Sequence, residues 1–273
     1  MPDIEGHRER AEERVPSLWQ DAVTRGRGHN LPILGAGLAF FGLISIGPAI
    51  AVGFGLLQFI ASPDAVDAVI ELLEDTPIDQ FGLVDIMRDM EDQATQFAGF
   101  SLLFLLWPAS TLASGWTRAL NDIFELDAEG PSGLKGRVRG LVPGSVLLFA
   151  VFLVFLAVSF GTALVGEGVL VAFAIIPGTI AIQFAFNLVI YRYLPSARIA
   201  WSALWRGAGL ATVGVVLGTL GFVALLTFSQ DFADEYPEQL VTAIVLGFWL
   251  YATNVALLVG AEYSSARARQ QRG

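Results

Sequence analysis

Seven polar residues sit within or at the ends of stretches that are otherwise apolar: Arg118, Asn121, Gln183, Asn187, Arg192, Asn254 and Glu262. They comprise two guanidinium groups, four amides and one carboxylate, and among them is no hydroxyl, thiol or imidazole nucleophile. What such a set can do is hydrogen-bond. In a bilayer that means lining a path for a solute or an amphiphile, or tying one helix to another. Small and hydroxyl neighbours around them favour tying.

Covalent and metal chemistry find little footing. The chain has no Gly-x-Ser-x-Gly, no phosphate-binding Walker loop, no His-Glu-x-x-His and no cysteine. Its two histidines, His7 and His29, both fall in the polar N-terminal segment, outside the apolar stretches. No Asp or Glu lies in the middle of an apolar stretch. The expectation is a protein without catalytic activity, cofactor, metal or nucleic-acid partner. Membrane lipids are its expected neighbours, and a small molecule or a lipid its expected substrate.

The elements that position these residues follow from hydropathy. The chain is 54% hydrophobic and 15% charged, against about 25% charged in a soluble domain. A membrane crossing needs about 20 mostly apolar residues. Six stretches qualify: Ile33–Ile60, Phe97–Thr117, Leu141–Val165, Gly168–Ile190, Gly207–Phe228 and Leu240–Ala261. The predicted fold is therefore all-α, a polytopic membrane bundle of six transmembrane helices. Residues 1–32 form a cytoplasmic N-terminal segment, 33–262 the transmembrane domain and 263–273 a cytoplasmic tail.

Charge sets the orientation. With six crossings, 15 of the 16 Lys and Arg fall on one side, and Arg88 alone on the other. The positive-inside rule puts that basic side, and both termini, in the cytoplasm of a cell-membrane protein. The opposite face is acidic. Residues 61–96 hold ten Asp or Glu, and 229–238 hold four more. The larger segment reads as two short helices, the first capped by Ser62 and Pro63 with Val66, Val69, Ile70 and Leu73 as its apolar stripe. A solvated lid accounts for these acids more simply than a cation trap. Val15, Leu18, Trp19 and Val23, spaced among charges, fit a cytoplasmic helix lying on the membrane surface before the first span, with a solvated tail as the alternative.

The second span ends in LLWPASTLASGWTRALNDIF, Leu105–Phe124. At 100° per residue, Ser110, Ser114, Thr117 and Asn121 form one line, and Thr111, Gly115, Arg118 and Asp122 the next. Leu112, Trp116, Ala119, Leu120 and Ile123 occupy the other side. Pro108 and, in the first span, Pro48 predict kinks. Gln183 and Asn187 lie one turn apart and share a face. Gly214-x-x-x-Gly218 fits close helix contact. Glu262 requires a partner, and Arg118 or Arg192, near the same boundary, are the expected ones.

Four runs together resemble the YihY/virulence factor BrkB family: GLAFFGLISIGP in the first span, LLWPASTLASGWTRALNDIF in the second, YRYLPSARIAWSALWRGAG at Tyr191–Gly209, and LGFWLYATNVALLVGAEYSSA at Leu246–Ala266. They occur in order over about residues 33–266. The resemblance implies a six-span inner-membrane protein and brings no settled activity. A ribonuclease label carried by some members finds no metal-ligand cluster here. Transporter-like export or lipid and amphiphile handling is the expected function, with a non-transporting scaffold or assembly factor as the alternative.

Overall fold

A computed structural model describes residues 17–60, 67, 70, 71, 111–126, 169–229 and 238–271. These residues form helices and their connections, with no strand among them. In chain order the helices are α1 (Leu18–Gly28), α2 (Leu31–Ile60), α3 (111–123), α4 (Val169–Tyr193), α5 (Trp201–Ser229) and α6 (Glu238–Gln270).

Four predicted spans coincide with long helices: the first with α2, the fourth with α4, the fifth with α5 and the last with α6. The second is described only from residue 111, and Leu141–Val165 lies outside the described residues. Trp201–Leu225 and Ala243–Gln270 are each long and apolar enough to cross a membrane, and the bent pair Leu18–Gly28 with Leu31–Ser45 adds a third if taken as one. α2 itself runs 30 residues without a charge, about 45 Å at 1.5 Å per residue. It continues through Pro48, and α4 through Pro177. Of the acidic segment after α2, only 67, 70 and 71 are described; they are helical, with Ile70 buried and Asp67 and Glu71 exposed.

α1 lies where a helix is expected before the first span. Ser17 caps it through a reciprocal pair: its hydroxyl accepts from the Gln20 N–H, and the Gln20 side chain accepts from the Ser17 N–H, both at 3.2 Å. Its buried residues are Ala22 and Gly26, while Trp19 and Val23 point outward. The chain then bends by 65° into α2. Asn30 makes the bend at φ 51°, a left-handed conformation that asparagine adopts more readily than most residues.

Four segments meet at one end of the bundle, here termed proximal. Arg269 of α6 reaches Asp21 of α1 at 2.8 Å. Asn121 of α3 reaches Ser196 in the α4–α5 turn, and Ser202 of α5 reaches Gln271 after α6. α1, the end of α3, the α4–α5 turn and the C-terminal residues thus meet at one end. Because α4 ends proximally, Leu126 and Val169 lie at opposite ends of the bundle.

α6 is the central post against which α5, α2 and α1 pack. Its seam with α5 is built from small residues. A Cβ on Gly207 would fall 2.2 Å from the carbonyl oxygen of Gly260, and one on Gly260 2.5 Å from that of Gly207. Farther along, Gly214 meets Ala256, where an added Cβ would lie 2.7 Å from the alanine Cβ. Without a water-driven hydrophobic force, membrane helices associate through such close backbone approach. Toward the other end, Trp249 Nε1 donates to Thr219 Oγ1 at 3.2 Å and its ring stacks near Phe222. On the outer faces of α5 and α6, Val213, Leu217, Leu220, Ile244 and Phe248 are exposed, the surface that hydrocarbon would cover.

Gly207→Ala is expected to lower thermal stability in detergent by about 1–3 kcal/mol, the cost of overpacking. Gly221→Ala in the same helix, where nothing lies within 4 Å, is expected to be neutral or to stabilise by up to about 1 kcal/mol. Thermal unfolding of the two variants side by side checks this.

Candidate functional site

The proximal end contains the one predicted site residue whose ionisable side chain is buried. Glu262, on the last turns of α6, is 1% exposed. Its partner is neither Arg118 nor Arg192. His29, at the α1–α2 bend, hydrogen-bonds through Nδ1 with Glu262 Oε1. The sequence reading set both histidines at the periphery; the 65° bend instead folds α1 against α6 and carries the imidazole to the carboxylate. Gly26, one turn before His29, lets α1 approach: a Cβ there would meet Leu31 at 3.0 Å and Glu262 Cγ at 3.8 Å. The second carboxylate oxygen, Oε2, is buried with no hydrogen-bond partner among the described residues.

Beside this pair lies an exposed ionic network. Asp21 accepts from Arg25 at 3.1 Å and from Arg269 at 2.8 Å. The Arg269 hydrogen bond, ahead of that from Arg25, holds the Asp21 carboxyl below its ordinary range despite some desolvation. Both arginines also reach Glu125, Arg269 at 3.4 Å. Glu125 closes α3 in a Schellman turn: Leu126 N–H bonds to Asn121 O and Glu125 N–H to Asp122 O. It does so at φ 53°, a position that normally selects glycine and strains other residues by about 1–2 kcal/mol. The two guanidinium contacts give a carboxylate at that position a reason to exist. Ser265 joins the same cluster, donating to Ile123 O at 2.6 Å while accepting from Arg269 at 2.8 Å.

Asn121 and Arg192 brace the α4–α5 turn. Asn121 Nδ2 donates to Ser196 Oγ at 2.9 Å, and Ser196 N–H donates back to Asn121 Oδ1 at 2.8 Å. Arg192 donates to the Ile199 carbonyl and lies over the Trp201 ring, 5.4 Å from its centroid. Gln183 and Asn187 do share a face: Gln183 Nε2 donates to Asn187 Oδ1 at 2.9 Å, Asn187 Nδ2 to Thr212 Oγ1 at 3.0 Å, and Thr212 to Ala208 O at 2.8 Å. That relay links α4 to α5 at a point where Asn187 is fully buried. Asn254 is buried too, but bonds within its own helix, to Leu250 O at 2.7 Å. Arg118 is exposed, one turn from the exposed Asp122, while Trp116, Ala119, Leu120 and Ile123 on the other face are buried.

Structure therefore groups Glu262 with His29, Asn121 and Arg192 with the α4–α5 turn, and Gln183 with Asn187; it does not gather all seven about one cavity. Tyr191, His29, Thr212 and Ser265 were missed. Tyr191 is fully buried, its hydroxyl donating to the Leu257 carbonyl on α6. A signal for Ser265 was available: Glu262, Ser265 and Arg269 fall at i, i+3 and i+7, one face of a helix. Among the described residues no group of three metal-ligating side chains comes together.

Asn121→Ala removes two bonds and strands the Ser196 N–H, an expected loss of about 1–3 kcal/mol. Hydrogen exchange at Ser196 should accelerate, whereas Arg118→Ala should stay within about 0.5 kcal/mol of the parent.

Known proteins share this plan in sequence. A UPF0761 membrane protein of Alteromonas mediterranea is 24% identical over 261 residues, covering 92% of this chain and 87% of that protein. No solved structure matches. The family profile described as virulence factor BrkB matches residues 22–273, from within α1 through the end of the chain. The apolar helices, their polar ties and this match lead to one conclusion: the chain is a membrane protein of the virulence factor BrkB family.

Proposed function

We propose that the protein resides in the cell membrane with both termini in the cytoplasm, and that it moves a lipid or another amphiphile in the manner of a transporter. The orientation is supported by the 15 basic residues on one side and by the meeting of the basic N-terminal, α4–α5 and C-terminal segments at the proximal end. The proposal assigns no catalysis to the chain.

One observation carries the transport reading. Glu262 is buried, ionisable, held by an imidazole at the α1–α2 bend, and has an oxygen without a protein partner among the described residues. Burying a carboxylate costs several kcal/mol, on the order of what a good ion pair returns, and an apolar side chain would pack the same space without that cost. Charged groups retained at such positions in membrane proteins mark pathways and coupling sites. Glu262 and His29 are the pair on which movement of substrate would depend.

A second reading, a non-transporting scaffold or assembly factor, has its own support. Asn121 with Ser196, and Gln183 with Asn187 and Thr212, form closed hydrogen-bonded contacts that hold helices together. In both readings these residues are structural.

Purified protein in vesicles separates the two. Flux or scrambling of labelled lipids and amphiphiles above that of empty vesicles is expected, with Glu262→Gln reducing it at least about tenfold, the equivalent of about 1.4 kcal/mol. Arg118→Ala is expected to match the parent. Leak equal to empty vesicles across a broad panel would leave the scaffold reading.

A further inference from the structure

The α4–α5 turn carries a second feature that helix packing does not use. Residues 169–229 contain no Asp or Glu, and their only charges are Arg192 at the end of α4, Arg198 in the turn that follows and Arg206 near the start of α5. None of the three makes an ion pair among the described residues. Arg198 and Arg206 are exposed.

The same short segment exposes large aromatic rings. Tyr193 is 59%, Trp201 48% and Trp205 50% exposed. Trp201 and Trp205 are one turn apart, so they share a face of α5. Each indole has a guanidinium above it, Arg192 at 5.4 Å from the Trp201 centroid and Arg206 at 5.2 Å from that of Trp205. Water is a poor environment for exposed indoles, and bulk hydrocarbon is a poor one for arginine. The headgroup layer of a bilayer suits both: rings lie at the ester level and guanidinium groups reach phosphate. Arginine presents a planar fork of donors that matches phosphate oxygens, and Arg192 spends one bond on the Ile199 carbonyl.

We propose that Tyr193, Arg192, Arg198, Trp201, Trp205 and Arg206 form a surface that binds the headgroup of an anionic phospholipid in the leaflet at the proximal end. Charge complementarity selects the occupant: three cations without a carboxylate partner among the described residues match a phosphodiester bearing net charge, and not a zwitterionic headgroup whose own ammonium would be repelled. The surface rests on the orientation proposed above for the identity of its leaflet, and on nothing in the transport reading.

Native mass spectrometry of the full chain, released from nanodiscs of equal phosphatidylglycerol and phosphatidylcholine, tests this. Preferential retention of phosphatidylglycerol is expected, falling at least about tenfold in the Arg198→Gln/Arg206→Gln variant, since each basic residue near an anionic surface contributes about fivefold. Arg27→Gln, an exposed change on α1, should leave retention unchanged. As a second readout, brominated phosphatidylglycerol should quench the parent's tryptophan fluorescence more than brominated phosphatidylcholine, with the difference shrinking in Trp201→Phe/Trp205→Phe. Equal retention of the two lipids, an equal loss in Arg27→Gln, or displacement by inorganic phosphate alone would overturn the proposal. Retention without flux would leave this surface standing and remove transport; flux without lipid preference would do the reverse.

Discussion

A carboxylate on the buried face of α6 sets the terms for the proximal end of this protein. Glu262 is almost wholly removed from solvent, and burying a carboxyl is costly unless a hydrogen-bonding partner compensates it. His29 supplies that compensation, and the local structure follows from getting it there. The Asn30 turn redirects the chain, Gly26 leaves room for α1 to lie against α6, and the Asp21, Arg25, Glu125 and Arg269 contacts close over the outside. Exposed ion pairs of this type are each worth at most about 1 kcal/mol. Their role is to bring α1, α3 and α6 together around the buried pair more than to supply energy.

Elsewhere the bundle meets the opposite demand, that polar groups not be left bare in hydrocarbon, with Thr253 Oγ1 an exception among the described residues. Close approach of α5 to α6 at Gly207 and Gly260 brings backbone to backbone, and Tyr191 crosses from α4 to the Leu257 carbonyl beside that seam. The amides follow the same logic: each pairs with a neighbouring helix, a turn or its own backbone. The seam and the amide ties make a firm framework. Against it, the partly satisfied Glu262 stands out as the group whose chemistry packing alone does not require.

Helix existence was legible because crossing a bilayer demands a long apolar run, and α2, α4, α5 and α6 each contain one. Ends were less so. Hydropathy stops at Ala261, yet α6 continues to Gln270, because a helix persists wherever its backbone bonds and packing allow, and the residues beyond Ala261 pack on α1 and α3. Face-sharing of Gln183 and Asn187 could be read from their spacing, but Thr212 could not, since a contact between helices has no local signature. Arginine was the expected partner of Glu262 for its charge. Geometry favours His29, 233 positions away, because α1 is the element folded against that part of α6, while Arg118 faces out and Arg192 is engaged with the α4–α5 turn.

If His29 and Glu262 hold α1 to the bundle, their substitutions must not act independently. A double-mutant cycle on thermal stability in lipid nanodiscs, with His29→Ala, Glu262→Gln and both together, reads this directly. Direct contact predicts a coupling of about 0.5–3 kcal/mol. Effects that sum to within about 0.5 kcal/mol would show that the two side chains do not meet, and would contradict the organisation of the proximal end described here.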